Sequence, residues 1–247
     1  MSADADADIA LAGAQFRIRV VRIACVSDTH AKHGELELPA DVDVLLHAGD
    51  FTRYGKQEDV ESFNAWLGTL AIPHRIVILG NHENGVFRKC NPSVMLSNAT
   101  AVLCGTGVQL PEELGGLRVY GCRFCWPMSA ASACRNPEYT EIPKDANAPH
   151  IVMAHGPAKG FCDGDSGCPE FAEAMLALKP LLVVSGHIHK AYGQMEHNGI
   201  TFVNAASERF EGGVNPPILV ELKVPVPVPV PVKVNEPMSM PDEPSPS

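Results

Sequence analysis

Two rhythms of apolar and polar positions divide the chain. Five runs are almost continuously apolar and rich in β-branched residues: VVRIACVS (20–27), DVLLHAG (43–49), RIVILG (75–80), HIVMAH (150–155) and LLVVSG (181–186). Runs of that length and make-up predict buried strands. Helical periodicity separates some of them. In EDVESFNAWLGTL, Val60, Phe63, Leu67 and Leu70 fall on one helix face. In PEFAEAMLALKP, Phe171, Met175 and Leu178 do the same, with Pro169 near the first turn and Pro180 closing the helix. Four other segments, GGLRVYGCRF, AYGQMEHNG, ITFVNAAS and PPILVELKV, are set apart by Gly, Asn and Pro turn signals and read as antiparallel. The pattern predicts an α/β fold, a layered sandwich of two sheets with helices outside.

The domain is expected to span 17–224. Before it, residues 1–16 read as a disordered acidic lead-in. After it, residues 225–247 read as a Pro-rich disordered tail, extended in the polyproline manner, because a proline at every second position cannot donate to a ladder.

Composition narrows the function. A chain of 247 residues can bury one sizeable core. A formal net charge of -10 argues against a broad surface for extended nucleic acid but leaves room for a small phosphorylated substrate whose charge metal ions offset. No stretch reaches the roughly 20 apolar residues of a membrane span. The acidic N-terminus lacks the basic region of a secretory signal, so the eight cysteines read as reduced thiols of a cytoplasmic protein. Cys122 and Cys125 form a C-x-x-C without the second pair of a zinc ribbon, and are not read as a metal site.

The chemistry sits where the strands end, at the edge at which open α/β sheets bind ligands. SDTH supplies Asp28 and His30, HAGD supplies Asp50, GNHE supplies Asn81 and His82, AHGP supplies His155, and GHIH supplies His187 and His189. Each alone could be a cap, a turn residue or a satisfied core histidine, as His33, His47, His74, His150 and His197 are read. Eight at successive strand ends point to one site. Asp28, His30, Asp50, Asn81, His155, His187 and His189 exceed the four donors of one tetrahedral zinc, and predict two divalent ions bridged by a carboxylate. Imidazole, carboxylate and amide donors without cysteine suit Mn, Fe, Zn or Co. His82, beside Asn81 but aimed elsewhere, is left to protonate a leaving oxygen.

These blocks, in this order, resemble the calcineurin-like metallophosphoesterases over roughly residues 20–224. LLHAGDFTRYG, FNAWLGTL, IVILGNHE, HGPAKGF and NPPILVEL are most similar to the vertebrate metallophosphoesterase-domain proteins, which resemble class III cyclic nucleotide phosphodiesterases. The resemblance implies a four-layer αββα sandwich with two mixed sheets. It implies Asp28, His30, Asp50 and His189 at the first metal, and Asp50, Asn81, His155 and His187 at the second. Asn81 and His82 would meet the substrate, with His82 the acid. The chain departs from the family twice. Arg53 stands where many members carry an Asp that orients the acid, so something else must orient His82. His187 is present where some vertebrate relatives have Gly, which predicts a fuller second site.

The expected activity is a phosphodiesterase acting on small phosphodiesters such as cyclic nucleotides, by attack of a metal-bound hydroxide. The alternatives are a broad phosphomonoesterase, or a nucleotide-binding or scaffold protein with little turnover. Arg53, Lys159, Asn204 and Arg209 are candidates for phosphate or base contacts.

Overall fold

A computed structural model of the chain describes residues 9–11, 14–83, 92–122 and 141–228. Two six-stranded mixed sheets form its centre. The first runs β1 (Ile9–Leu11), β2 (Ala14–Val26), β3 (Val44–His47), β4 (His74–Ile78), β5 (Ala101–Leu103), with β12 (Ile218–Pro227) also paired to β2. The second runs β10 (Gly193–His197), β11 (Ile200–Asn204), β9 (Leu182–Ser185), β8 (Ile151–Met153), β7 (Arg118–Gly121), β6 (Thr106–Gln109). Strands β2 to β5 are mutually parallel, as are β7, β8, β9 and β11, while β1, β12, β6 and β10 pair antiparallel.

Side-chain alternation makes the layers. Val21, Ile23 and Cys25 of β2 point between the sheets, against Val119, Met153, Val184 and Val203 of the other sheet. Ala24 and Val26 point the opposite way, toward Val60, Phe63 and Leu67 of α1 (Gln57–Thr69). On the far side Val152, Val183 and Phe202 receive Phe171, Ala172 and Met175 of α3 (Pro169–Leu178). The layers are therefore helix, sheet, sheet, helix. Each large side chain buried in this way stabilises by about 1.5–3 kcal/mol, so both helices are held by their anchors rather than by propensity. A third, one-turn helix, α2 (Pro92–Met95), precedes β5.

Three details depart from the sequence expectation. β7 and β11, read as antiparallel, each also have a parallel neighbour, β8 and β9 respectively. The acidic lead-in does not extend to residue 16, since β1 and the start of β2 already pair there, Ile9 opposite Phe16. The Pro-rich tail does not begin at 225. β12 runs on to Pro227, with Val226 opposite Arg17. Its burial alternates strictly, Val224 and Val226 inside, Pro225 and Pro227 outside. In an antiparallel edge strand every second N–H faces away from the ladder, and the prolines occupy that set. Val228 N–H accordingly donates to Gln15 O at 2.9 Å. The proline period matches the strand period, so the ladder loses nothing. Residues 1–8 and 229–247, with Cys125, lie outside the described residues.

Candidate metal centre

The carboxyl ends of the two parallel blocks meet at one place. A parallel bridge between Ser27 and Ala206 ties the end of β2 to the loop after β11, with Ser27 N–H donating to Ala205 O at 2.9 Å and Ser207 N–H to Ser27 O at 2.8 Å. From this seam the loops after β2, β3, β4, β8 and β9 bring all eight predicted residues together. Asp28, His30 and His189 form one group of converging ligand atoms, and Asp50, His155 and His187 another. Between them lies a third group of His30, Asp50 and His82, and Asn81 joins through Oδ1, 3.0 Å from His155 Nε2.

The turns are tight. Asp28, His30, Asp50 and His187 all have positive φ, 51°, 43°, 54° and 65°. A non-glycine residue there costs roughly 1–2 kcal/mol, and four at one site mark a backbone held by its surroundings. Asp28 N–H donates to Gly49 O at 2.9 Å and His187 N–H to Asp28 Oδ2 at 2.8 Å. His82 N–H donates to Asp50 Oδ1 at 2.9 Å. Gly186 and Gly80 are glycines because a Cβ would collide with the carboxylates of Asp28 and Asp50 respectively.

Hydrogen bonds on the far side of the rings fix which nitrogen faces the centre. His155 Nδ1 lies 2.8 Å from Ala48 O, and His30 Nδ1 lies 3.1 Å from Thr52 O. A carbonyl only accepts, so each Nδ1 carries a hydrogen and each Nε2 is the nitrogen turned inward, the one that binds a cation once it gives up any proton. His30 Nε2 and His189 Nε2 then stand 3.3 Å apart. His155 Nε2 is 3.2 Å from Asp50 Oδ2, and His189 Nε2 is 3.4 Å from Asp28 Oδ1. Asp28 Oδ1 is buried and makes no hydrogen bond among the described residues. Converging lone pairs around an orphaned carboxylate oxygen are what a divalent cation requires, and this donor set fits one.

Electrostatics agrees. Burial is the largest influence and raises the Asp28 and Asp50 carboxyls, but His155, His189 and Ser27 together outweigh it at Asp28, as His155 and the His82 N–H do at Asp50, and both sit below the usual range. Burial lowers His155, yet Asp50 and Asp28 together push it up to about 10. His187, desolvated and facing His155, is pushed down to about 4. The carboxylates are held ionised, and positive charge is favoured between them.

Three features of the site were not read from the sequence. Glu83 is wholly buried and accepts from Asp50 N–H at 2.8 Å, Gly80 N–H at 2.9 Å, Thr52 N–H at 2.9 Å and Thr52 Oγ1 at 2.7 Å. It clamps the β3 loop to the β4 loop; its signal was only its place in GNHE. Burial and the Asp50 charge push it up to about 7, against the pull of those donors. Second, His82 Nδ1 bonds the backbone carbonyl of Arg53. The position that lacks the orienting Asp still supplies an orienting acceptor, from the main chain. Third, Glu208 reaches in from the loop after β11, its Oε2 3.9 Å from His30 Nε2. Of the four contact candidates, Arg53 and Arg209 line a cavity beside the centre. Lys159 instead pairs with Asp163 at 3.5 Å, and Asn204 is buried, donating to Cys162 O and Ile188 O.

Residues 21–191 match the calcineurin-like phosphoesterase family. Metallophosphoesterase domain-containing protein 1 of Homo sapiens is 32% identical over 238 residues, covering 83% of this chain and 72% of that protein. A UPF0046 protein of Caenorhabditis elegans is 32% identical over 218 residues, covering 75% of each. The solved structure of TT1561 from Thermus thermophilus superimposes with a TM-score of 0.57 at 15% identity, over 76% of this chain and 92% of that one, which is a likeness of fold.

Proposed function

The chain belongs to the calcineurin-like phosphoesterases, a family of metal-dependent phosphoric ester hydrolases, and from that premise we propose that it is a two-metal phosphodiesterase of small phosphodiesters, cyclic nucleotides among them. The observation that carries the reading is the pair of separate donor groups, Asp28 with His30 and His189, and Asp50 with His155 and His187. Asp50 touches both groups' surroundings and is the natural bridge. The first ion would be held by Asp28, His30, Asp50 and His189, the second by Asp50, Asn81, His155 and His187. Two divalent ions of the Mn, Fe or Zn kind would supply an activated water and offset the charge of the phosphoryl oxygens.

The protein's own contribution follows from its hydrogen bonds. Ala48 O and Thr52 O hold His155 and His30 with Nε2 inward, so neither ring must turn when it binds. His82 keeps its Nδ1 hydrogen on Arg53 O, half-exposed at the mouth of the site, with Nε2 3.7 Å from Asp50 Oδ2. Nε2 is the atom that hands a proton to the departing oxygen. The alkoxide that an alkyl phosphodiester expels is a poor leaving group and gains from such an acid.

Small substrates fit better than duplexes because the chain's net charge is -10. No described helix is long and apolar enough to cross a membrane. A cytoplasmic setting suits cysteines among which no disulfide is formed within the described residues. The test is hydrolysis of bis-p-nitrophenyl phosphate and p-nitrophenyl phosphate by metal-stripped protein with Mn²⁺ restored. Faster turnover of the diester is expected. Preference for the monoester would replace this reading with a phosphomonoesterase, and no turnover with metal bound would favour a binding protein.

A further inference from the structure

A cavity of about 690 Å³ adjoins the metal centre on the His187 and His189 side. Its lining includes four cationic side chains, Lys32, Arg53, Lys190 and Arg209, and one carboxylate, Glu208. In a chain with an excess of ten acidic charges, that is a marked local reversal. Glu208 accounts for two of the cations, with Lys32 Nζ at 2.9 Å and Arg53 Nη2 at 3.7 Å. Lys190 and Arg209 have no carboxylate within ion-pair distance among the described residues.

The wall that carries Arg209 is built rather than loose. Glu208 and Val214 form an antiparallel bridge. Arg209 N–H donates to Gly213 O at 3.2 Å and Gly212 N–H to Arg209 O at 3.1 Å, with Gly212 and Gly213 at φ 94° and 77°. This short turn holds Phe210 out to solvent, 84% exposed, with its ring centroid 5.5 Å from that of His189. Phe210 thus offers an open aromatic face beside the metal centre, on which a planar group could lie.

We propose that this cavity is a second anion subsite: it takes the part of the substrate that carries a further phosphate or comparable anionic group, with Lys190 and Arg209 as its counter-ions and Phe210 against the sugar or base between the two charges. The inference rests on the phosphodiesterase reading for what occupies the metal centre and adds the substrate class, a phosphodiester bearing a second negative group. Lys190 follows directly on His189, so its ammonium is tied to the same turn that aims the ligand. Arg209 presents several donors in a fixed fork suited to phosphate oxygens.

Calorimetric binding to the Mn²⁺-loaded protein tests the proposal. Adenosine 3′,5′-bisphosphate should bind at least ~10-fold more tightly than adenosine 3′-monophosphate. In Lys190→Ala/Arg209→Ala the two ligands should bind alike. In Arg17→Ala/Lys223→Ala, which removes the same charge from β2 and β12 outside the cavity, the preference should persist. Equal affinities in the parent protein, a preference that survives the first variant, or one lost equally in the second would each overturn the subsite. The underlying reading fails separately. If bis-p-nitrophenyl phosphate is not hydrolysed while this binding pattern holds, the diesterase is wrong and the anion subsite stands.

Discussion

Removing the Glu83 carboxylate should cost more stability than any exposed acid in the protein. Glu83→Ala deletes the acceptor of three backbone N–H groups, those of Asp50, Thr52 and Gly80, and of the Thr52 hydroxyl. The hydroxyl can turn, since it already accepts from Gly55 N–H at 3.0 Å. The three amides cannot. An unsatisfied buried donor costs about 1–3 kcal/mol, so three give ~3–9 kcal/mol before relaxation. A water entering the vacated space satisfies part of that, and ~3–5 kcal/mol is the expected loss. Against a typical domain stability of about 5–15 kcal/mol, this is enough to shift a urea midpoint plainly. Glu83→Gln should fall between, because one amide oxygen replaces one carboxylate oxygen while the NH₂ faces donors on the other side. Urea unfolding of metal-free protein measures the difference at constant slope. Because the clamp also joins the Asp50 loop to the Asn81 loop, Mn²⁺ affinity should drop by roughly 10–100-fold in Glu83→Gln, as for other groups that orient ligands. A loss below about 1 kcal/mol in Glu83→Ala would refute the account.

Three further outcomes follow from the same structure. Ala31→Gly should stabilise by up to ~1 kcal/mol, the reverse of the usual sign, because Ala31 is exposed with φ 66°; thermal unfolding reads it, and a lowered melting temperature counts against backbone strain at this turn. Chelation should abolish turnover and lower the melting temperature, with Mn²⁺ at about 100 times its Kd returning ~2.7 kcal/mol; an unchanged melting temperature would mean the donor groups hold no ion. His47 is buried and desolvation pushes it down to about 3, so the unfolded chain takes its proton first. Its contribution is whole above about pH 6.5 and is lost as pH falls toward 3, at up to ~1.4 kcal/mol per pH unit; stability of His47→Gln should therefore fall less steeply than that of the parent over that interval, and parallel curves would contradict it.

The strands and the candidate site were legible in the sequence for one reason: a parallel sheet puts the residue after each apolar run at the same edge. Asp28, Asp50, Asn81, His155 and His187 all follow such runs, and the structure brings them together. What stayed hidden depends on pairings between segments. Glu83 is one more acid until two loops deliver four donors to it. The Arg53 carbonyl carries no side-chain signature, so only the fold shows what orients His82. β5 and β6, three and four residues long, are too short for a period to show. The prolines of β12 misled because the rule against proline in strands is a rule about which N–H faces the ladder, and at this edge the prolines have the free side.

β12 is the last described strand to leave the ribosome, yet its ten residues lie beside β2, one of the first. A nascent chain that has emerged only to residue 207 holds every donor of the metal centre and none of the strand that seals their sheet. Until β12 arrives, one edge of β2 is unpaired and the layer around Val21 and Ile23 lacks Val220, Leu222 and Val224. Pairing between segments so far apart in sequence is slow, because a long loop must close before the contacts stabilise it. The sheet that carries Asp28, Asp50 and Asn81 is therefore completed only once β12 has been made, and until then the exposed β2 edge is a surface that chaperones or aggregation can meet.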